Sequence, residues 1–398
     1  MQSKKFERTA IYLFAVSIFA SALNYLFQII SGRLLSQEDF GVLNSVFSVT
    51  NILTICGTAL GLSITKDIAE SGTVDGKIPC IIKFFACIAL PFTAAVIGIM
   101  KVMNFSLSVC ICSAVAICLI SSTYIFYGML QGKKMFVSLS IFNLIQPIFK
   151  TILGTVLIVL GLGINSAPVA MIAGSICCLI FGYIVFRKNR AGKRADFTDI
   201  KPILSYTVFT LISTVCITVF NNIDILIVRN YFTEYDVGIY SCAALFGKIL
   251  MYIPSALTVL LVPVAAGNIN EGRTALKKSL LYSFLLSSIA GAGLFVLKKP
   301  IISIIMGKDY LPASEYILPL CFTVIPLVLA TVLINYLIAV GDKVFVSLAG
   351  ICALAVMMIA VMFIHSTISS VLLILTGVYS VLTVVLFIRS QKACPKEV

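Results

Sequence analysis

Two lysines stand where lysines are costly. Lys150 lies about fourteen residues into an apolar run at 137–160, about 21 Å along a helix at 1.5 Å per residue, and Lys248 lies about ten residues into a run at 238–262. An ammonium at such depth costs roughly 2.5–3.5 kcal/mol and cannot easily snorkel to an interface, so each needs an anionic partner or a wet cavity. Lys150 shares a helical face with Asn143 and Gln146, beside the kink-prone Pro147; Lys248 shares one with Ser241, Tyr252 and Ser255. Two readings are open. One is an internal ion pair, with Asp224 as the acid; the other is an electropositive mid-depth cavity suited to an anionic ligand. Few other intramembrane acids are available, so the expectation is the cavity, with both lysines facing it.

Uncharged polar groups form two stripes. Ser17, Ser21, Asn24, Gln28 and Ser31 follow one another at steps of four, three, four and three, along one side of a helix. Thr207, Thr210, Thr214, Thr218, Asn221 and Asp224 repeat the theme in a later run. The hydroxyls have an alternative use, because Ser and Thr can bond their own helix carbonyls and small residues favour close helix packing. Asn24, Gln28, Asn221 and Asp224 are harder to dismiss as ligand-facing groups. Lys66, with Asp67 and Glu70, reads as a solvated helix end, His365 as a residue of an exposed turn, and Gly57 with Gly61 as a small-xxx-small packing pair.

The elements that must hold these groups are membrane spans. The chain has 398 residues, 60% of them hydrophobic and 11% charged, with a mean hydropathy of +1.10. Apolar runs of about 20 residues recur throughout, each able to cross a hydrocarbon core of roughly 30 Å, whereas a strand-built barrel would show shorter alternating segments. Twelve spans are expected, near 10–31, 40–62, 78–100, 107–129, 137–160 and 164–186, then 203–230, 238–262, 278–297, 315–340, 344–364 and 367–388. The first, too long and lacking a cleavage signature, reads as an uncleaved span. The expected domains are a six-helix lobe at 1–190, a basic linker at 191–201 and a second six-helix lobe at 202–398. With the N-terminus inside, the inner segments hold 21 Lys and Arg and the outer segments 6, Lys150 and Lys248 completing the 29. That split satisfies the positive-inside rule and places both termini in the cytoplasm. It also accounts for most of the net charge of +13, which points to membrane lipids and not to nucleic acid.

The two halves repeat. GKKMFVSL from Gly132 and GDKVFVSL from Gly341 are 209 positions apart, each at the turn between the fourth and fifth spans of its half. Arg33-LLSQEDF-Gly41 and Arg229-NYFTEYDV-Gly238 join the first and second spans of each half at offsets of 196 and 197, a register that pairs Gln28 with Asp224. Because six is even, the repeats are parallel and related by an axis along the membrane normal, as in many transport folds.

Several segments, taken in order, carry a resemblance. NYLFQIISGRLLSQEDFGVLNSVFSV, GTALGLSITKDIAE, YGMLQGKKMF, NNIDILIVRNYFTEYDVGIYSCAALFGKIL and MGKDYLPAS resemble the polysaccharide transporter family of Wzx-type oligosaccharide flippases, over nearly the whole chain. That family shares a superfamily with MATE exporters and the lipid II flippase MurJ. The resemblance implies an all-α polytopic membrane protein with two six-helix lobes around a central cavity open alternately to each side. It implies a polyprenyl-diphosphate-linked oligosaccharide moved across a bacterial plasma membrane, with polysaccharide polymerase machinery as a possible partner. On this reading Lys150 and Lys248 meet the diphosphate, and Asn24, Gln28, Asn143, Gln146, Asn221 and Asp224 meet sugar hydroxyls or the coupling ion. Arg33 and Arg229 match the family's pattern at the outer span ends, where they serve gating or substrate contact, and Lys66 is a gating candidate.

Competing classes fare worse. A MATE-type exporter of cations wants cavity carboxylates, while the deep groups here are mostly cations; a lipid II flippase of the MurJ type usually has two further spans. A membrane polymerase or glycosyltransferase needs a sizeable loop with acid, base or metal ligands, and the longest loops here are about fifteen residues, with one His. The chain is therefore expected to be no enzyme. Most of the 13 cysteines sit within apolar spans as small hydrophobes and lack metal-site spacing, so neither metal nor cofactor is implied. Asp224 is the candidate for proton or sodium coupling.

Overall fold

The computed structural model describes residues 2–71, 76–188, 200–267 and 269–392; side chains at 2–11, 14, 71, 209, 212, 213, 252–267, 269–271 and 343 lie outside the description. Among the described residues every regular element is helical. The helices are α1 (Gln2–Leu34), α2 (Gln37–Leu53), α3 (Ile55–Ser71), α4 (Ile78–Val102), α5 (Leu107–Gly132), α6 (Phe136–Val159), α7 (Ser166–Lys188) and α8 (Lys201–Phe220). They continue with α9 (Ile223–Tyr231), α10 (Glu234–Gly267), α11 (Ile269–Val296), α12 (Lys298–Ile305), α13 (Ile317–Ala339), α14 (Lys343–Phe363) and α15 (Ile368–Lys392). Among the described residues ten helical stretches are long and apolar enough to cross a membrane, with α2 and α3 counted together. The remaining two expected spans fall on α8 with α9 and on α10.

By packing, the chain forms two compact units: 1–39 with 49–214, and 40–48 with 215–398. These bounds depart from the expected halves for visible reasons. Ile200, just before α8, and Ile203, in its first turn, are buried in a cluster with Ile64, Ile68, Ile78 and Phe186, so the start of α8 belongs to the first unit. Thr207 adds a 3.0 Å bond to Ser63, and the Lys66 ammonium sits 3.9 Å from the centre of the Tyr206 ring. Conversely Phe40 meets Tyr310 edge to face at 5.7 Å, and a Cβ on Gly41 would fall 2.5 Å from the Gly238 nitrogen, which ties 40–48 to the second unit.

In the first unit α3 packs on α5, α6 on α7 and α1 on α6. The α3–α5 contact is a backbone approach made by glycines: a Cβ on Gly57 would lie 2.7 Å from the Ser121 Cα, and one on Gly128 would strike the Gly61 carbonyl oxygen. The small-xxx-small reading of Gly57 and Gly61 therefore describes a real seam, worth its conformational cost because it lets two helices close. In the second unit α13 packs on α15, and α10 on α11 and α13.

The sequence repeats have unequal structural echoes. Ser36 Oγ accepts the Asp39 N–H at 3.1 Å, and Thr233 Oγ1 accepts the Asp236 N–H at 3.2 Å, so the same cap starts α2 and α10 at an offset of 197. The GKKMFVSL and GDKVFVSL turns differ. In the first, the positive-φ residue is Lys134 (φ 55) and α6 starts at Phe136; in the second it is Gly341 (φ 91) and α14 starts at Lys343. Glycine takes the left-handed geometry at once, whereas with α5 running on through Gly132 that geometry falls on a lysine two residues later.

Candidate functional site

The first unit holds a cavity of ≈ 510 Å³. Its walls come from five helices: Ser17, Ser21 and Asn24 of α1, Thr58 of α3, Tyr124, Tyr127 and Gln131 of α5, Asn143, Gln146 and Pro147 of α6, and Cys178 of α7. The spacing of the α1 stripe thus delivers three of its five members to one wall. Ser31 instead donates to the Gln28 carbonyl at 3.0 Å, and neither it nor Gln28 lines the cavity. Proline at 147 leaves the Asn143 carbonyl without its helical donor, and Asn143 and Gln146, one turn apart, reach the same space. Gln146 Nε2 donates to Ser175 Oγ at 3.4 Å, while among the described residues no hydrogen-bond partner is recorded for the Asn143 side chain.

Lys150 does not face this cavity. It is 8% exposed, wedged between α6 and α1, with Nζ donating to Asn24 Oδ1 at 3.2 Å and lying 5.5 Å from the Phe27 ring centre. Thr151 Oγ1 donates to the Leu23 carbonyl at 2.9 Å, and Gly154 meets the Phe27 ring closely enough that a Cβ would lie 2.7 Å from it. These contacts draw α1 onto α6 and spend the lysine on the amide next to it. Asn24 Nδ2 donates to the Ala20 carbonyl at 3.0 Å, so both ends of the amide are fixed while its edge borders the cavity. The expected electropositive cavity lined by Lys150 is replaced by one with no charged side chain in its described wall; Lys150 is buried between helices, with the Asn24 amide as an acceptor for its ammonium.

Rings that spacing did not single out also line the cavity. Tyr124 and Tyr127 meet edge to face at 5.8 Å, and Tyr127 tilts against Phe142 at 6.5 Å. Tyrosines three apart on a helix gave the only sequence signal. With Gln131 they supply surfaces that stack and donate without charge.

In the second unit the seventh span is broken. Asn222 stands between α8 and α9 at φ −132° and donates its side-chain amide to the Thr218 carbonyl at 2.8 Å, an Asn bonding backbone where a helix would otherwise continue. Asp224 sits in the first turn of α9, where a helix N-terminus favours a carboxylate. It accepts from the Tyr240 hydroxyl at 2.9 Å and pairs with Lys248 Nζ at 3.5 Å, their side chains 13% and 25% exposed. The ion-pair reading therefore describes Lys248. Beside the pair is a space of only ≈ 20 Å³, about one water, bordered by Asn221, whose buried Oδ1 has no hydrogen-bond partner among the described residues. Tyr379 closes it, meeting Phe220 edge to face and donating to its carbonyl at 3.1 Å. The threonines of α8 mostly bond their own helix: Thr210 donates to the Tyr206 carbonyl and Thr214 to that of Thr210, each at 2.9 Å.

The remaining candidates separate. Arg33 is exposed at the end of α1, whereas its repeat mate Arg229 is buried, its side chain 6% exposed, with Nη2 3.7 Å from Glu234. Lys66 is half exposed, 3.5 Å from Glu70. His365 is not simply exposed: it is half-buried, stacked on Tyr231 at 4.3 Å with Nδ1 3.0 Å from the Val361 carbonyl. Tyr252 and Ser255 have side chains outside the described residues.

Comparison with known proteins agrees with this architecture. The chain is similar to the inward-facing form of a multidrug resistance MATE family transporter (TM-score 0.77, 12% identity, 94% of each chain). It is equally similar to the lipid II flippase MurJ in an inward closed conformation (TM-score 0.77, 15% identity, 96% of this chain and 87% of that one). At these identities the likeness is one of fold alone. An uncharacterized membrane protein, MJ1375, of Methanocaldococcus jannaschii is 26% identical over 324 residues, 74% of this chain and 76% of its own. The family described as "Polysaccharide biosynthesis protein" matches residues 6–268, well over half of the chain. The protein is thus a multi-pass membrane protein with a fold like that of MATE and MurJ, and it belongs to the polysaccharide biosynthesis protein family.

Proposed function

We propose that the protein is a flippase that carries a polyprenyl-diphosphate-linked oligosaccharide across the membrane by alternating access. The observation that carries this reading is the first-unit cavity: amides, hydroxyls and tyrosine rings around ≈ 510 Å³, inside a chain otherwise made of apolar helices. A glycan headgroup cannot cross hydrocarbon unaided, and such a lining replaces its water while the lipid tail stays outside the protein. A MATE-type export of cations is the weaker alternative, because no carboxylate borders the cavity among the described residues. The reading keeps the non-enzymatic role, the cytoplasmic placement of both termini in a bacterial plasma membrane, and polymerase machinery as a downstream partner. Energy coupling is assigned to Asp224, whose carboxylate would exchange Lys248 for a proton or sodium ion.

The test is complementation of a bacterial strain lacking its own oligosaccharide flippase. Expression of this chain should restore surface polysaccharide, and the pair Tyr127→Ala with Asn143→Ala, at equal membrane abundance, should not. Full restoration by that double variant would remove the cavity from the account.

A further inference from the structure

We infer that the first-unit cavity recognises an uncharged sugar residue, and that Lys150 is a positioning residue acting through Asn24 and not a phosphate ligand. The inference rests on the proposed function for the word sugar; its charge argument is independent of it. None of the described side chains bordering the cavity is Asp, Glu, Lys, Arg or His. Lys150 of α6 is held behind the wall: its Nζ donates to Asn24 Oδ1 at 3.2 Å, the residue is 8% exposed, and it does not line the cavity. A uronate or a phosphate placed there would lose its water and touch no charged side chain of the wall, and an amino sugar would meet no carboxylate, so each would bear a desolvation penalty that a neutral ring avoids.

The groups that do face the cavity match the surface of a pyranose. Tyr127, meeting Tyr124 edge to face at 5.8 Å, offers an aromatic face to a ring's axial hydrogens. Asn143 presents an amide with both donor and acceptor edges, and Gln146, held by Ser175 at 3.4 Å through Nε2, keeps Oε1 as an acceptor. A volume of ≈ 510 Å³ falls among small-molecule sites of roughly 300–1,000 Å³, enough for one or two rings and too little for a long glycan. The site therefore holds one or two neutral units of a glycan at a time. Lys150 fixes the amide of Asn24 at the cavity's edge, and so shapes the site without touching the ligand.

The experiment is equilibrium binding of radiolabelled methyl glycosides to the purified full chain in nanodiscs. Methyl glucoside and methyl N-acetylglucosaminide are the uncharged probes, methyl glucuronide the acid and methyl glucosaminide the amine. At least one uncharged glycoside should bind about tenfold or more tightly than both charged ones. Asn143→Asp should reverse the order in favour of the amine, and Gln146→Glu should do the same if that variant fails to fold. Lys150→Met should weaken the uncharged probe without making the glucuronide bind worse than it already does. Equal or tighter glucuronide binding in the unaltered chain, no binding of any uncharged probe, or an order unmoved by the acidic substitutions would overturn the inference. Glycoside selectivity with no lipid-linked transport would remove the flippase reading alone; transport with no such selectivity would remove only this one.

Discussion

Replacing Lys150 with Met separates two accounts of the deepest cation in the first unit. The substitution removes a charge-assisted hydrogen bond to Asn24 Oδ1, worth roughly 1.5–3 kcal/mol. It also removes a buried ammonium that costs roughly 2.5–3.5 kcal/mol at membrane depth. The two nearly cancel, and Met occupies a similar volume against Phe27, so the melting temperature of the purified protein should stay within a few degrees of the parent. Function should fall only as far as losing one well-placed amide allows, roughly 0.5–1.5 kcal/mol, or about two- to tenfold in the initial rate of translocation. Asn24→Ala should produce the same loss, and the double variant little more, because residues that act through one another are not additive. A direct phosphate contact behaves otherwise: truncating one partner of a desolvated charge pair costs roughly 2–5 kcal/mol, about thirtyfold or more. A loss of that size in Lys150→Met, undiminished in the Asn24→Ala background and at unchanged melting temperature, would refute the reasoning.

Four further outcomes follow from the same geometry. Lys248→Met leaves the Asp224 carboxylate, 13% exposed, with Tyr240 but no ammonium; it should destabilise the protein by about 3 kcal/mol, and adding Asp224→Asn should recover most of that in thermal unfolding. If Asp224 couples transport to an ion, Asp224→Asn abolishes the dependence of flipping on proton or sodium gradients; flipping and ion dependence that both persist remove that role. Gly128→Ala would set a Cβ against the Gly61 carbonyl oxygen, and should cost roughly 1–3 kcal/mol in unfolding while weakening glycoside binding, because the same helix carries Tyr124 and Tyr127. Gly41→Ala, whose Cβ would lie 2.5 Å from the Gly238 nitrogen, should destabilise the second unit by a similar amount while glycoside binding in the first-unit cavity persists.

What could be read in advance was whatever depends on period and on transfer energy. Span positions follow from apolar length, and the observed helices fall on them, the seventh span being divided between α8 and α9; the repeat of Arg33–Gly41 in Arg229–Gly238 was legible as a sequence match, and the structure gives it a shared helix cap at Ser36 and Thr233. The side of α1 that carries Ser17, Ser21 and Asn24 was legible from spacing. What spacing cannot give is which neighbouring helix a side chain meets. Lys150 and Asn24, 126 residues apart, satisfy each other, and Lys248 finds Asp224 across the break between α8 and α9, so the sum of deep cations counted along the chain overstated the charge of the cavity. Tyr124 and Tyr127 were missed because aromatic residues at helical spacing read first as core. The α8–α9 break was written as two consecutive asparagines, a signal legible only once a membrane helix is known to stop there.

The most direct measurement is translocation in proteoliposomes holding only this chain and a fluorescent polyprenyl-diphosphate oligosaccharide, with a membrane-impermeant quencher reporting which leaflet the headgroup occupies. The account predicts headgroup transfer that requires this protein and falls in Tyr127→Ala and Asn143→Ala. Transfer no faster than in protein-free vesicles, under either a proton or a sodium gradient, would contradict it.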